Sequence, residues 1–393
     1  MGAPQLNHPM QATRGTGVEP QRLLAAVDAA VTYYRAQLQR ADGPRAYLAQ
    51  RGLGVLVQRE WPWRIGYAPP GWNSLTSHLR AAGFTAEELV GAGLAIRTRA
   101  EPDRLIDVFR DRVMFPVRDP AGHAVAFLGR SRPDVGEGVP KYINSPKTGL
   151  YDKGRLLFGI AEQQERLTAR WTPVLVEGPA DVLAVWLSYA RAGRAGAVAL
   201  APCGTVLTSA QAAILRELPG AAQGIVAAFD ADPAGRAAVA RAWQLLRHPR
   251  PAGQLLAAEF STGADPADLL RRPNGRAQLR AALQRARPML DAVVDHRLAR
   301  LVERHPRLLE DIDGRCAAVR PLVPLLFEAS SPDEAIRVAR RIVTHTGVGV
   351  DTVAIAAIAH LEDGLHHIHP PVEASAEATG DRAPPRSCIS SQR

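Results

Sequence analysis

Two short apolar runs that end in carboxylates constrain the fold of this chain more than any other feature. The first reads Val174-Leu175-Val176-Glu177-Gly178-Pro179-Ala180-Asp181; the second reads Ile225-Val226-Ala227-Ala228-Phe229-Asp230-Ala231-Asp232-Pro233-Ala234-Gly235. Each has the length of a buried strand and stops at acid and glycine. Around them the pattern alternates. Helices are expected over 181–190, 209–217 and 235–246, and strands over 196–200, 224–229 and 254–258, with Gly204-Thr205 at one turn. Such alternation requires an α/β fold, a parallel sheet with helices on both faces. Carboxylates at the carboxyl ends of its strands lie on the rim where ligands bind. Four carboxylates brought together there repel one another unless a hard divalent cation neutralises them, which points to a magnesium site. Two βα turns that carry acidic helix N-caps give the same spacing, so both explanations stand.

A chain of 393 residues is long enough for two or three domains with sizeable cores. No apolar run reaches membrane-spanning length, and the first residues lack the pattern of a signal peptide. A soluble, cytoplasmic protein without membrane contact is expected. Cys203, Cys316 and Cys388 lie far apart with no CxxC pair, which argues against a disulfide framework and a zinc ribbon. Cys203, in an apolar stretch, is expected as a buried small side chain. The net charge of +9 rests on arginine, yet the three lysines, Lys141, Lys147 and Lys153, all fall in one short segment. A compact, strongly hydrated cation concentrated in one place suits phosphates; the alternative is that one loop happens to hold all three.

Residues 1–19 read as a disordered leader. A helix follows from Gln21, with Leu23, Leu24, Val27, Val31, Tyr34 and Leu38 on one face and Gly43-Pro44 as its stop. Further helices are expected over 45–50, 74–82 and 86–92. Strands over 113–117 and 123–128 flank Asp119-Pro120-Ala121-Gly122, a hairpin signal, and 140–146 reads as a loop mixing cations with an aromatic. From 275 to 362 the spacing is helical, punctuated by Pro306, Pro321 and Pro332. Beyond His366 a disordered tail is expected, where His360, His366, His367 and His369 read as solvated surface rather than a metal grip.

The series Val176-Glu177-Gly178 with Asp181, Gly204-Thr205, and Phe229-Asp230-Ala231-Asp232 with Ala234-Gly235 resembles the Toprim fold of primases, topoisomerases and some nucleases. Upstream, Tyr47-Leu48-Ala49-Gln50-Arg51-Gly52-Leu53, Gly66-Tyr67-Ala68-Pro69, Phe109-Arg110-Asp111-Arg112-Val113-Met114-Phe115-Pro116-Val117, Gly129-Arg130 and Pro140-Lys141-Tyr142-Ile143-Asn144-Ser145-Pro146 are similar to the catalytic core of DnaG-type bacterial primases. The likeness runs in one order from about 21 to 270 and less sharply to about 360. It divides the chain into a leader (1–19), a primase-core α+β subdomain (20–165), a Toprim domain (166–272), a helical subdomain (273–365) and a tail (366–393).

The resemblance implies a template-directed RNA polymerase that makes short primers from ribonucleoside triphosphates on single-stranded DNA. Glu177, Asp230 and Asp232 resemble its catalytic acids, and together with Asp181 and Asp265 its ligands for Mg²⁺ or Mn²⁺. Arg130, Lys141, Asn144 and Lys153 resemble its nucleotide- and template-binding residues. Two departures follow. The usual N-terminal zinc ribbon has no counterpart, so no zinc is expected, and template choice is expected to involve a replicative helicase or a separate zinc-ribbon protein. The third acidic loop, often Asp-Pro-Asp, is here Asp265-Pro266-Ala267-Asp268, which implies weaker metal binding. A Toprim nuclease would explain the acids but not the upstream segments, and the chain lacks the further domains of a topoisomerase. A non-catalytic DNA- or helicase-binding module is opposed by retained acids that are costly to keep buried without metal.

Overall fold

A computed structural model of the protein describes residues 17–368 except 58–60, 99–100, 102–103, 133–137, 191–192, 194, 250 and 262–263. Most of the expected leader, His369 and the rest of the tail lie outside the described residues. The chain divides into two compact units at Arg300/Leu301.

The first unit opens with α1 (Pro20–Arg40), which buries Leu23, Ala26, Val27, Ala30, Val31, Tyr34 and Leu38 at helical spacing. The next helix, α2 (Asp42–Gln50), starts before Gly43-Pro44 rather than after it. Extended Ala41 makes the break, and proline is tolerated in a first turn because its missing N–H would have no partner there. Then come β1 (Gly66–Ala68), α3 (Ser74–Ala81), α4 (Ala86–Gly91), and the strands β2 (Ala95–Arg97) and β3 (Leu105–Asp107). The expected hairpin forms as β4 (Arg112–Arg118) and β5 (Ala124–Ser131). The stretch expected as a loop contains a strand, β6 (Tyr142–Asn144), paired antiparallel with Leu128–Arg130. Tyr142 and Ile143 favour a sheet, and the flanking prolines confine the strand to three residues.

The first sheet runs β1-β4-β5-β6, all antiparallel. Its core with α1 includes Tyr34 edge-on to Phe127 at 5.3 Å. At Gly66 a Cβ would come 2.5 Å from the Tyr34 Cβ, so close contact between β1 and α1 depends on glycine.

The second sheet begins with β7 (Leu157–Phe158), α5 (Gln164–Thr168), β8 (Thr172–Leu175), α6 (Pro179–Ser188), β9 (Ala197–Pro202) and α7 (Ser209–Glu217). It continues with β10 (Ile225–Ala227), α8 (Pro233–Leu246), β11 (Leu255–Ala257), α9 (Pro266–Leu270), α10 (Gly275–Gln284) and β12 (Arg287–Pro288), before α11 (Met289–Arg304). The strand order is β12-β11-β10-β8-β9-β7, with β11-β10-β8-β9 parallel and the two edge strands antiparallel. α6 packs against α9 and α10, and α7 against α8. Every residue of α6 is buried, as its apolar sequence requires. This is the expected α/β sheet. Cys203 is buried beyond β9.

The second unit is helical: α12 (Ile312–Val319), α13 (Pro324–Phe327), α14 (Pro332–Thr346) and α15 (Val350–Ile368). Ser331 caps α14, and Gly347, at φ 69°, ends it. α15 runs past the expected 366 boundary to Ile368, because the first helix breaker is Pro370. Among the described residues no single helix is long and apolar enough to cross a membrane; Pro332–Thr346 and Val350–Glu362 pass that test only as a pair bent by 120°.

Candidate active site

The chain leaves β8 through α6 to reach β9 on one side, then returns through α7 to β10 on the other. Between β8 and β10 the winding reverses, and the crevice beyond such a reversal is where open α/β sheets bind ligands. Glu177 and Asp230 follow these two strands. The Asp230 N–H donates to Glu177 Oε1 at 3.3 Å, which joins the acidic turns directly. Gly235 holds the second turn tight, since a Cβ there would lie 2.0 Å from the Asp230 carbonyl oxygen.

The capping explanation applies to two of the acids. Asp232 caps α8, accepting the Gly235 N–H at 2.7 Å, and Asp265 caps α9, accepting the Asp268 N–H. Neither Glu177 nor Asp230 is a cap: α6 starts at Gly178 with no side-chain bond. Asp181, in the first turn of α6, is buried and accepts the Ala267 N–H at 3.2 Å, which ties the third acidic loop to the first.

Burial raises the Glu177 carboxyl above its ordinary range; the Asp230 amide and Lys141 oppose this, while Asp232 and Asp265 add to it. Asp230 is pushed up to about 7 by burial, then by Glu177 and Asp265, again against Lys141. Asp181 is pushed up to about 8 by burial, then by Asp265 and Asp230, against the Ala267 amide and Arg130. The five acids therefore share one electrostatic neighbourhood. Among the described residues no three acid, histidine or cysteine side chains close tightly enough to grip an ion as they stand. The donor set nevertheless fits a hard cation: all oxygen and rich in carboxyl groups, with Asp230 and Asp181 raised to where a cation would displace their protons.

The basic residues divide. Lys141 lies near enough to act on both Glu177 and Asp230. Lys153 sits by the Gly204 turn after β9, its stem 3.8 Å from where a Gly204 Cβ would be, and Asn144 ends β6. Lys147 instead forms an exposed ion pair with Asp152 at 2.8 Å. Arg130 departs from the expected basic surface: it is 6% exposed. Its Nε donates to the Tyr47 hydroxyl and its Nη1 to the Tyr142 hydroxyl, both at 2.6 Å. Arg130 lies on a strand between β4 and β6, with tyrosines from α2 and β6 closing over it, and serves as a buried counter-charge to Asp181.

Sequence reasoning assigned no role to Tyr47, Tyr142 or Arg51, although all three lie in the segments that carried the resemblance. Arg51 lies 3.9 Å from Asp265 and 4.0 Å from Asp268, and Arg271 holds Asp268 at 2.6 Å. The second acid of the third loop thus faces two guanidiniums.

Two known families match the regions that carry the two sheets. The family described as DNA primase catalytic core, N-terminal domain, matches residues 33–164, and the Toprim-like family matches 174–270. A DNA primase of Mycobacterium tuberculosis is 34% identical over 332 residues, 83% of this chain and 49% of its own length. One from Pseudomonas putida is 34% identical over 308 residues, 77% of this chain and 44% of its own. The chain spans about half the length of the curated relatives it matches. Among solved structures, the RNA polymerase domain of Mycobacterium tuberculosis primase DnaG matches with a TM-score of 0.67 at 32% identity, over 83% of this chain and 99% of that one. A complex of the same domain with double-stranded DNA matches at 0.66 and 33%, over 84% and 99%. A DnaG primase catalytic domain bound to single-stranded DNA matches at 0.62 and 30%, over 84% and 96%.

Proposed function

The chain belongs to the family of DnaG-type primase catalytic cores, and from that premise we propose that it synthesises short RNA primers on single-stranded DNA by metal-dependent nucleotidyl transfer. The observation that carries this reading is the hydrogen-bonded pair of Glu177 and Asp230 at the winding reversal of the sheet, with Lys141 acting on both.

Each residue has a distinct task. Glu177, Asp230 and Asp232, together with Asp181 and Asp265, would hold Mg²⁺ or Mn²⁺. When bound, the cation supplies Lewis-acid activation of the primer 3′ hydroxyl and charge neutralisation at the pyrophosphate leaving group. Lys141 holds the triphosphate of the incoming ribonucleotide beside the acids, and Asn144 and Lys153 extend that surface toward the template backbone. Arg130 acts from behind. It fixes Tyr142, the residue that follows Lys141, and offsets the charge of Asp181. Residues 20–165 would then form the template-facing subdomain, 166–272 the catalytic domain and 273–365 the helical subdomain.

The test is to incubate the protein with single-stranded templates, labelled ribonucleotides and Mg²⁺ or Mn²⁺. Short RNA products that disappear in Asp230→Ala are the expected result. Template degradation would point instead to a nuclease, and DNA binding with neither product to a non-catalytic module.

A further inference from the structure

Outside the acidic centre, the first unit has a cleft of about 500 Å³ lined by Arg35, Trp61, Arg64, Arg118 and Glu162. Its cations come from three separate places: α1, the segment before β1, and the end of β4. Within it lies a mismatched pair. The Glu162 side chain is 2% exposed, and its Oε1 faces Arg118 Nε at 3.4 Å. Neither of these two buried atoms makes a hydrogen bond. Arg118 spends Nη1 on the Gly122 carbonyl at 2.6 Å. Buried polar atoms are nearly always hydrogen-bonded, and these two, an ion pair without a hydrogen bond, belong to side chains that line the cleft. Arg64 adds a second sign. Its φ of 43° is a left-handed conformation rare for a residue with a side chain, and its Nη1 is held by Asp28 at 3.0 Å.

We propose that this cleft binds a phosphate-bearing ligand, with the guanidiniums of Arg35, Arg64 and Arg118 taking the phosphate and the Glu162 carboxylate taking a hydroxyl or amino donor of the same ligand. Guanidinium groups match phosphate oxygens in geometry as well as charge. The volume is that of a small-molecule site and accommodates a nucleoside phosphate. Trp61 supplies an aromatic wall; its Nε1 donates to the Val55 carbonyl at 3.0 Å and its ring packs edge-on against Trp186 at 5.0 Å. None of the acids or lysines assigned to nucleotidyl transfer lines the cleft, so this is a second phosphate site. The phosphate could come from a free nucleotide or from a strand of nucleic acid, which present the same chemistry.

The experiment is calorimetric titration of the intact chain with inorganic pyrophosphate, AMP and an oligo-dT strand, in chelator so that the acidic centre repels anions. Saturable binding is expected, weakened about 10-fold or more by Arg35→Gln or Arg64→Gln and left intact by Lys147→Ala, which removes an exposed cation outside both sites. AMP should bind more tightly than pyrophosphate, and Glu162→Met should erase that preference. Unchanged melting temperatures would show that the variants are folded. Displacement of AMP by oligo-dT identifies strand phosphate as the source, and binding of AMP without such competition identifies free nucleotide; both support the site. Equal affinity in wild type and both arginine variants would overturn it.

Discussion

Replacing Glu162 by glutamine isolates the cost of one buried carboxylate. The side chain is 2% exposed, its Oε1 lacks a hydrogen bond, and Arg118 at 3.4 Å is its nearby cation. Burial pushes its carboxyl up to about 7, with a backbone hydrogen bond and Arg118 pulling weakly the other way. Because the folded value lies above the unfolded one, the sign is that of a group which destabilises as it ionises. Between the ordinary glutamate value and about 7 the unfolded chain has released this proton and the folded chain has kept it. Stability therefore falls by about 1.4 kcal/mol per pH unit across that window. The total is roughly 3 kcal/mol, complete above the folded value and absent in acid. Glutamine has nothing to ionise. Losing the Arg118 partner in the variant adds only a pH-independent offset. Urea unfolding of wild type and Glu162→Gln at about pH 5, 6, 7 and 8 should show a difference that moves in the variant's favour as pH rises. A difference that stays flat across that range would refute the account of Glu162 as a carboxyl protonated by burial.

At the acidic centre, Lys141→Ala should raise KM for ribonucleotides and lower the salt slope of template binding by roughly one; an unchanged slope would remove Lys141 from the binding surface. Gly235→Ala brings a Cβ within 2.0 Å of the Asp230 carbonyl, a backbone contact that no side-chain rotation relieves. It should cost roughly 2–4 kcal/mol in urea unfolding and abolish primer synthesis, and full stability with full activity would show that the turn adjusts.

The second sheet was legible because its strands are buried on both faces and its helices are long, so β8, β9, β10 and β11 each leave an apolar run between turn residues. β1, β2, β3 and β6 were harder. A three-residue strand carries no periodicity, and Pro140 and Pro146 make β6 look like a loop. The acidic turns were recognised, but their division of labour was not. A carboxylate that caps a helix and one that does not have the same local sequence, and only the hydrogen bonds of Asp232 and Asp230 separate them. Arg130 was least legible. Its burial depends on two phenols, one 83 residues away and the other 12, and nothing in the local sequence shows that a guanidinium will be covered. Gly43-Pro44 misled because proline ends a helix and begins one with equal ease, and the deciding feature is the extended backbone of Ala41.

The registration of β8 beside β10, with Val174 opposite Val226 and Leu175 opposite Ala227, works as a fixed gauge. Strands in a sheet stand about 4.8 Å apart whatever their side chains, because the backbone sets the interval. Glu177 and Asp230 follow those strands by two and three residues, so substitutions nearby alter the charge or reach of the acids but not the gap between the strands they extend from. Rim and gauge are thus free to change separately: the surrounding lysines can be exchanged while the strands that lead to the two acids keep their spacing. An engineered chimera that moves residues of the rim while keeping both strands should retain the donor geometry, whereas a one-residue slip of β10 would lose it at a stroke.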